Sequence, residues 1–565
     1  MTLDPSSIAG YEAARNLVGK SFRSACYAPY TSLYFNTNGD VVACCKNTSY
    51  VLGNIADEGL EQIWRGKKAQ AMRKAVRDYK LGIGCDFCEW QIKGGQYDQV
   101  YATTFDQLPA SEGAEWPAMM EFTLSNTCNL ACIMCYGVLS STIRAHREKL
   151  PPLPRVYGDA FFADLRKFLP HLKIAKFFGG EPFLGQENFR VWDMMIEDGI
   201  QIPCHITTNA TTWNKKVEAV LQALPCVIHV SLDGTTKQTV ESIRVNTVHE
   251  VLLENVERFL AYSRTRPGAG MSLTYCLMRQ NWHEFGEYLK FGEQRALSVY
   301  INTVIDPPDC SLYTLPADEL KAIAQKMEEQ DRAHGYSALP RNGRVWTSAI
   351  QALQKNATDR QREGIAEFRQ AGIERNPLGR AWILVGEQKF DEALKVVSKV
   401  PEQDSQYYSR LVLEGHVYRR TDRLPQAAQS LARAIELFPR GPDAYGEQAW
   451  MYLQQAQTEA AMAAAEQGVK ALRGDLGHAV AAPLHSVLGL ARAHAGRFPA
   501  ALEAADIAVQ LKPADAWTHV HRGWVLLGAS KVPEAIAAAR RAIELQPDNG
   551  EAARIIAMAE ARRGS

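Results

Sequence analysis

The sequence predicts an α/β body built on a parallel sheet, set between a small cysteine-rich α+β segment and an all-helical repeat array. Three observations carry that expectation. Six apolar, β-branched-rich runs alternate with helical stretches between residues 116 and 310, eight of the twelve cysteines precede residue 136, and the end of the chain repeats itself every 34 residues. The runs are 118–125, 173–179, 203–209, 227–233, 270–278 and 297–305. Helices such as 214–224 and 250–264 fit between them. Strands joined by crossovers of that length are parallel neighbours.

Composition narrows the setting. A chain of 565 residues with 46% hydrophobic and 22% charged residues is ordinary globular material, enough for roughly three or four domains. Sixty-three basic residues balance 63 acidic ones, so no overall field draws the chain to nucleic acid or an anionic membrane. The opening MTLDPSSIAGYEAARNL has no charged segment followed by an apolar run, and no apolar stretch reaches the ~18 residues of a membrane span. The expectation is a soluble cytoplasmic protein with neither nucleic acid nor membrane as partner. In a reducing compartment, clustered cysteines favour metal or redox chemistry over disulfides.

Cys128, Cys132 and Cys135 lie in SNTCNLACIMCYG, ahead of Gly179-Gly180-Glu181-Pro182. Thiolates are soft ligands that suit iron–sulfur clusters or zinc, and a structural site normally takes four protein ligands, so three imply a fourth supplied from outside. A zinc knuckle or three buried thiols is the plainer alternative. The motifs fall at the carboxyl ends of successive runs: the cysteine loop after the first, GGEP at the second, Thr208-Asn209 at the third, and Ser231-Leu232-Asp233-Gly234 at the fourth. Parallel α/β sheets bind their ligands there.

On these motifs the region 116–310 resembles the radical SAM superfamily. The resemblance implies a partial (βα)6 barrel and a [4Fe–4S] cluster on Cys128, Cys132 and Cys135. Its open iron would take the amino and carboxylate groups of S-adenosylmethionine, which is then cleaved to methionine and a 5′-deoxyadenosyl radical. It further implies that Gly179, Gly180 and Glu181 bind the methionine amino end, that Asn209 and Ser231 contact the ribose or carboxylate, and that Arg244 pairs with a carboxylate. A low-potential electron donor such as flavodoxin or ferredoxin is the implied partner. Asp233 and Glu241 are near enough in sequence for proton transfer, but no catalytic acid or base is assigned.

Residues 1–105 hold Cys26, the pair Cys44-Cys45, and Cys85-x-x-Cys88. YTSLYFNTNGDVVAC reads as a hairpin turning at Asn38-Gly39-Asp40, followed by an amphipathic stretch rich in Lys and Arg. Spacing alone leaves a four-cysteine zinc site open beside an iron–sulfur one. With Gly39, Leu52-Gly53-Asn54 and Ile63-Trp64, the cysteines resemble the SPASM or twitch extension of radical SAM enzymes. The resemblance implies one auxiliary [4Fe–4S] cluster on Cys26, Cys44, Cys85 and Cys88, although such extensions usually follow the barrel. The spacing from Gly39 selects Cys44, and Cys45 is then a buried thiol or an alternative ligand. Four cysteine ligands complete a cluster that moves electrons; an open iron would bind substrate directly.

Residues 376–565 read as a helical solenoid. Gly489 and Gly523, Ala501 and Ala535, Ala508 and Ala542, and Pro513 and Pro547 are each one period apart, the period of the tetratricopeptide repeat. Gly415, Ala434 and Pro439 mark an earlier copy, a degenerate one spans 444–473, and another begins near Trp382 and Gly386. Such arrays offer a concave surface to a peptide or protein, or else dimerise or brace a neighbour. Residues 311–375 read as a helical connector, with Pro316 starting one helix and 349–375 helical in composition.

The expected activity is therefore hydrogen abstraction by a radical SAM enzyme. The repeats favour a peptide or protein substrate, as in ribosomal peptide maturation. A dehydrogenase or isomerase of a small sugar or aminocyclitol is the alternative, and a non-enzymatic iron–sulfur scaffold a third. No cobalamin-binding His motif precedes the barrel.

Overall fold

A computed structural model describes residues 3–47, 50–93, 97, 100–113, 115–304, 307–363, 377–400, 402, 407–472, 474 and 478–563. Met1–Arg369 form one compact unit and Gln370–Ser565 a second. Among the described residues of the first unit, nine strands make a single sheet: β1 (Ser32–Phe35), β2 (Asp40–Val42), β3 (Gly53–Asn54), β4 (Met119–Phe122), β5 (Ile174–Phe177), β6 (Cys204–Thr208), β7 (Cys226–Ser231), β8 (Gly270–Leu277) and β9 (Val299–Thr303). Their order is β3-β2-β1-β4-β5-β6-β7-β8-β9.

The six expected runs are β4 to β9, each parallel to the next. Helices cross back between them at Asp159–Phe168, Gln186–Glu197, Lys215–Ala223, Lys237–Ile243 with His249–Thr265, and Phe285–Gln294. This is the partial (βα)6 barrel. Phe122 is stacked between Phe35, 5.5 Å away, and Phe177, 5.2 Å away, and Trp192 packs on Phe177 at 4.9 Å. Successive residues of a strand point to opposite faces. The aromatic row therefore meets the helices on one face and leaves Glu121, Lys176 and His205 on the other.

The cysteine-rich region is built onto the same sheet. The hairpin turns where the sequence placed it: Gly39 has φ +80°, and the Asn36 side chain accepts the N–H groups of Asn38 and Asp40 at 2.9 and 3.0 Å. What the sequence did not disclose is that β1 lies parallel to β4, with Tyr34 opposite Glu121 and Phe35 opposite Phe122. The basic amphipathic helix is Lys67–Arg77, which buries Ala69, Met72 and Val76.

Two connector helices follow, Ala317–His334, beginning after Pro316, and Gly343–Glu363. The connector's expected continuation through 364–375 lies outside the described residues. The second unit consists of helix pairs, among them Tyr407–Arg420 with Leu424–Leu437, Ala481–His494 with Phe498–Leu511, and Ala516–Gly528 with Val532–Leu545. The repeated small residues sit where helices touch. A Cβ on Gly415 would stand 2.5 Å from Leu431, and one on Gly489 3.1 Å from the Ala501 carbonyl.

Phe122→Ala removes the middle ring of the aromatic stack from a fully buried position. The expected loss is about 3–5 kcal/mol, read as a lower midpoint for the first unit in chemical denaturation.

Candidate functional site

The cysteine loop leaves β4 and is clamped from three directions. Glu181 N–H donates to the Thr127 carbonyl at 2.7 Å, Ala131 and Ile133 donate to the carbonyls of Val245 and Ile243 at 3.0 Å, and the Thr142 hydroxyl donates to the Cys128 carbonyl at 2.7 Å. Arg147 donates to the carbonyls of Cys132 and Cys135. Both glycines of GGEP have left-handed backbones, φ +71° and +54°. A Cβ on Gly179 would fall 2.1 Å from Thr123 Cγ2, and one on Gly180 2.4 Å from the Thr127 carbonyl oxygen. Backbone conformation and close approach both require glycine.

The three thiols face a cavity of about 300 Å³. Gly179, Gly180, Asn209, Ser231 and Arg244 share its lining, so the structure brings together the sequence-derived residues except one. That one is Glu181, whose carboxylate is turned inward. It is 1% exposed and accepts Asn209 N–H and the Thr208 hydroxyl at 2.7 Å and Phe183 N–H at 3.1 Å. Burial outweighs these donors and pushes its pKa up to about 6. Its carboxylate thus ties the end of β6 to the glycine turn.

Donors also point at sulfur. Leu130 N–H lies 3.5 Å and Asn209 Nδ2 3.9 Å from Cys128 Sγ, and Arg244 Nη1 lies 4.0 Å from Cys132 Sγ. Burial raises the Cys128 and Cys135 thiols to about 12. Arg244 already pairs with the buried Asp233 at 2.5 Å, and Asp233 also accepts Cys276 N–H at 2.6 Å, which uses this carboxylate in holding the arginine. Glu241 lies away from the cavity lining and accepts His249 N–H at 3.0 Å.

Cys26, Cys44, Cys85 and Cys88 line a second cavity, walled by Ala28, Met72, Val76, Leu81 and Phe105. Here too donors aim at sulfur: Ala28 N–H at Cys26 and Asn47 Nδ2 at Cys85, both at 3.3 Å, and the N–H groups of Tyr101 and Ala102 at Cys88. Cys45 does not line this cavity. Its sulfur is 3.1 Å from the Tyr101 hydroxyl, and burial followed by the Glu121 charge raises it to about 11. Soft donors, apolar walls and N–H groups directed at sulfur fit an iron–sulfur cluster in both cavities.

The comparisons agree region by region. The family model for the iron–sulfur cluster-binding domain SPASM matches residues 26–89, and that for the radical SAM superfamily matches 122–292. The chain carries a radical SAM domain. The tetratricopeptide repeat model matches 412–476 and 521–565, after the radical SAM domain. This order, extension first, barrel second and repeats last, is the one expected from the motifs. The radical SAM and SPASM domains imply S-adenosylmethionine and two clusters, one radical-generating and one auxiliary. No curated protein matches the chain. Among solved structures, a tetratricopeptide repeat protein of Thermus thermophilus is 18% identical, covering 33% of this chain and 99% of that one, with a TM-score of 0.29. YrrB, described as having an unusual peptide-binding site, is 19% identical over 33% of this chain and 95% of its own, TM-score 0.24. The first repeat domain of human RPAP3 is 23% identical over 22% and 97%, TM-score 0.20. No described helix is long and apolar enough to cross a membrane.

Two substitutions test the clamp around the radical SAM cavity. Glu181→Gln keeps the shape but sets an amide donor against Asn209 N–H or removes the acceptor for Thr208 and Phe183, a loss of about 1–3 kcal/mol. Gly180→Ala is the more severe, because its Cβ meets backbone. Thermal unfolding of the two variants should rank them in that order.

Proposed function

We propose that this radical SAM enzyme abstracts hydrogen from a peptide or protein and passes the substrate's electron to the auxiliary centre. What supports the reading is one observation: a three-thiol cavity and a four-thiol cavity are built onto the same nine-stranded sheet in one compact unit. When bound, the cluster on three thiolates and its S-adenosylmethionine supply the 5′-deoxyadenosyl radical, and the cluster on four supplies an electron acceptor.

The chain's own residues do the remainder. Cys128, Cys132 and Cys135 hold the first cluster, and Cys26, Cys44, Cys85 and Cys88 the second. Gly179 and Gly180 let backbone approach the cofactor, and Glu181 fixes that turn through Asn209, Thr208 and Phe183. Ser231, bonded to Thr274 at 3.0 Å, and Asn209, bonded to Asn129 at 3.1 Å, present fixed polar atoms to it. Arg244, held by Asp233, stands beside Cys132 and screens its sulfur charge. The SPASM region is residues 1–105, the barrel 116–310, the connector 311–375 and the repeats 376–565. In the repeats, Trp382 and Trp517 are exposed, and the rings of Trp450 and Trp517 both face His521, at 5.1 and 5.9 Å. Aromatic rings of this kind suit a recruited peptide.

Anaerobically reconstituted protein should hold about eight iron and eight sulfide. Joint replacement of Cys128, Cys132 and Cys135 by Ala should leave about half and abolish 5′-deoxyadenosine release. Cys44→Ala should lose the other half, whereas Cys45→Ala should keep all of it. Stoichiometric zinc in the SPASM cavity would refute the electron-transfer role. Trp517→Ala with Trp382→Ala should raise KM for the true substrate about tenfold or more while leaving kcat near that of the parent. An unchanged KM would remove the repeats from substrate capture.

A further inference from the structure

The inner face of the barrel carries a polar row that neither cysteine cavity uses. In register across the sheet stand Tyr34 on β1, Glu121 on β4, Lys176 on β5 and His205 on β6, and His229 on β7 faces Ser272 on β8. The members are linked. Lys176 Nζ is 3.3 Å from Glu121 Oε1, His205 Nδ1 is 3.0 Å from His229 Nε2, and His229 Nδ1 is 2.6 Å from Ser272 Oγ. Glu121 is fully buried, whereas Lys176, His205 and His229 are half-buried and open to the interior of the barrel.

The fold does not need this row. Parallel strands covered on both faces ordinarily read as continuous Val, Ile and Leu, and a buried ion pair holds a structure no better than apolar residues of equal volume. Its position is informative. Thr207 and Ser231 line the radical SAM cavity, and His205 and His229 lie two residues earlier on the same face of the same strands. At the other end Glu121 faces the Cys45 N–H, one residue from Cys44 of the auxiliary cavity. A substrate lying between the two cavities lies along this row.

We propose that the row is a substrate subsite that holds a peptide carboxylate, with Lys176 and His205 as its two donors. This deepens the proposed function and rests on it for the location. Lys176 is the one Lys or Arg on β4 to β9, and Glu121 anchors it from beneath. The histidines act as neutral donors: burial first, with the Lys176 charge adding to it, lowers both to about 4. Ser272 O–H then donates to His229 Nδ1, and His229 Nε2–H donates to His205 Nδ1. That direction leaves His205 Nε2–H to donate to the ligand. His229 and Ser272 are positioning residues, and a charge-assisted contact from Lys176 supplies most of the selection for an anion.

The test uses the full-length, cluster-loaded protein labelled with 13Cε1-histidine, the His205 and His229 resonances being identified by their loss in His205→Gln and His229→Gln. Three probes of nearly identical shape are titrated. N-acetylglutamic α-amide offers a side-chain carboxylate, N-acetylglutamine an α-carboxylate, and N-acetylglutaminamide neither. One or both acids should move the two resonances saturably, and which of them does so tells an Asp/Glu side chain from a chain terminus. The uncharged probe should need at least about tenfold more. Lys176→Met should raise the acid's Kd by about tenfold or more, and Lys176→Arg by less than about threefold. Should Lys176→Met lose its iron, His205→Gln serves in its place, with weaker acid binding expected. Equal binding of acid and amide, no movement with any probe, or retained acid binding in an iron-replete Lys176→Met would overturn the proposal. Failure to release 5′-deoxyadenosine would instead overturn the proposed function, whatever the probes do.

Discussion

The parallel pairing of β1 with β4 is the contact on which the rest of the first unit depends. β1 carries the hairpin that leads to Cys44, and β4 leads directly into Cys128. Four residue pairs in register, with Phe35 stacked on Phe122, join the SPASM cavity to the barrel through one continuous sheet. A flexible tether would leave the separation of the two sites to chance. A shared sheet sets it by strand spacing, which varies little because backbone hydrogen bonds set it.

The barrel was legible in the sequence because buried parallel strands leave short apolar runs, and because ligand-binding motifs collect at strand ends. All six runs became strands, and the ends of β5, β6 and β7 line the cavity that the three thiols face. The repeats were legible for a different reason: Gly415, Gly489 and Gly523 recur where a Cβ would crowd the facing helix, so packing itself writes the period. Pairing between β1 and β4 left no comparable trace. Their partnership joins segments more than eighty residues apart by backbone bonds, which are indifferent to side-chain identity.

The site residues divide along the same line. Residue type and spacing singled out thiols and a glycine turn that the fold gathers along two cavities, because the chemistry demands those types. Direction was not legible. In the sequence Glu181 reads as a ligand-facing carboxylate, yet three protein donors already bind it, and Arg244 is already committed to Asp233. The polar row inside the barrel leaves no mark in the sequence for a related reason. Glu121, Lys176, His205 and His229 lie in four separate strands with no motif between them, and only the register brings them together.

Cys44 and Cys45 are neighbours in the chain, yet their sulfurs serve different spaces, one the SPASM cavity and the other the flank of Tyr101 and Glu121. Val42 is held by its pairing with Tyr34, so only Ala43 separates the sheet from the first of these sulfurs. A single residue count thus decides which thiol looks where. The interval from Gly39 to Cys44, which in the sequence reads as a metal motif, is in the folded protein a length of sheet: the reach from the tip of a hairpin to the wall of a cavity.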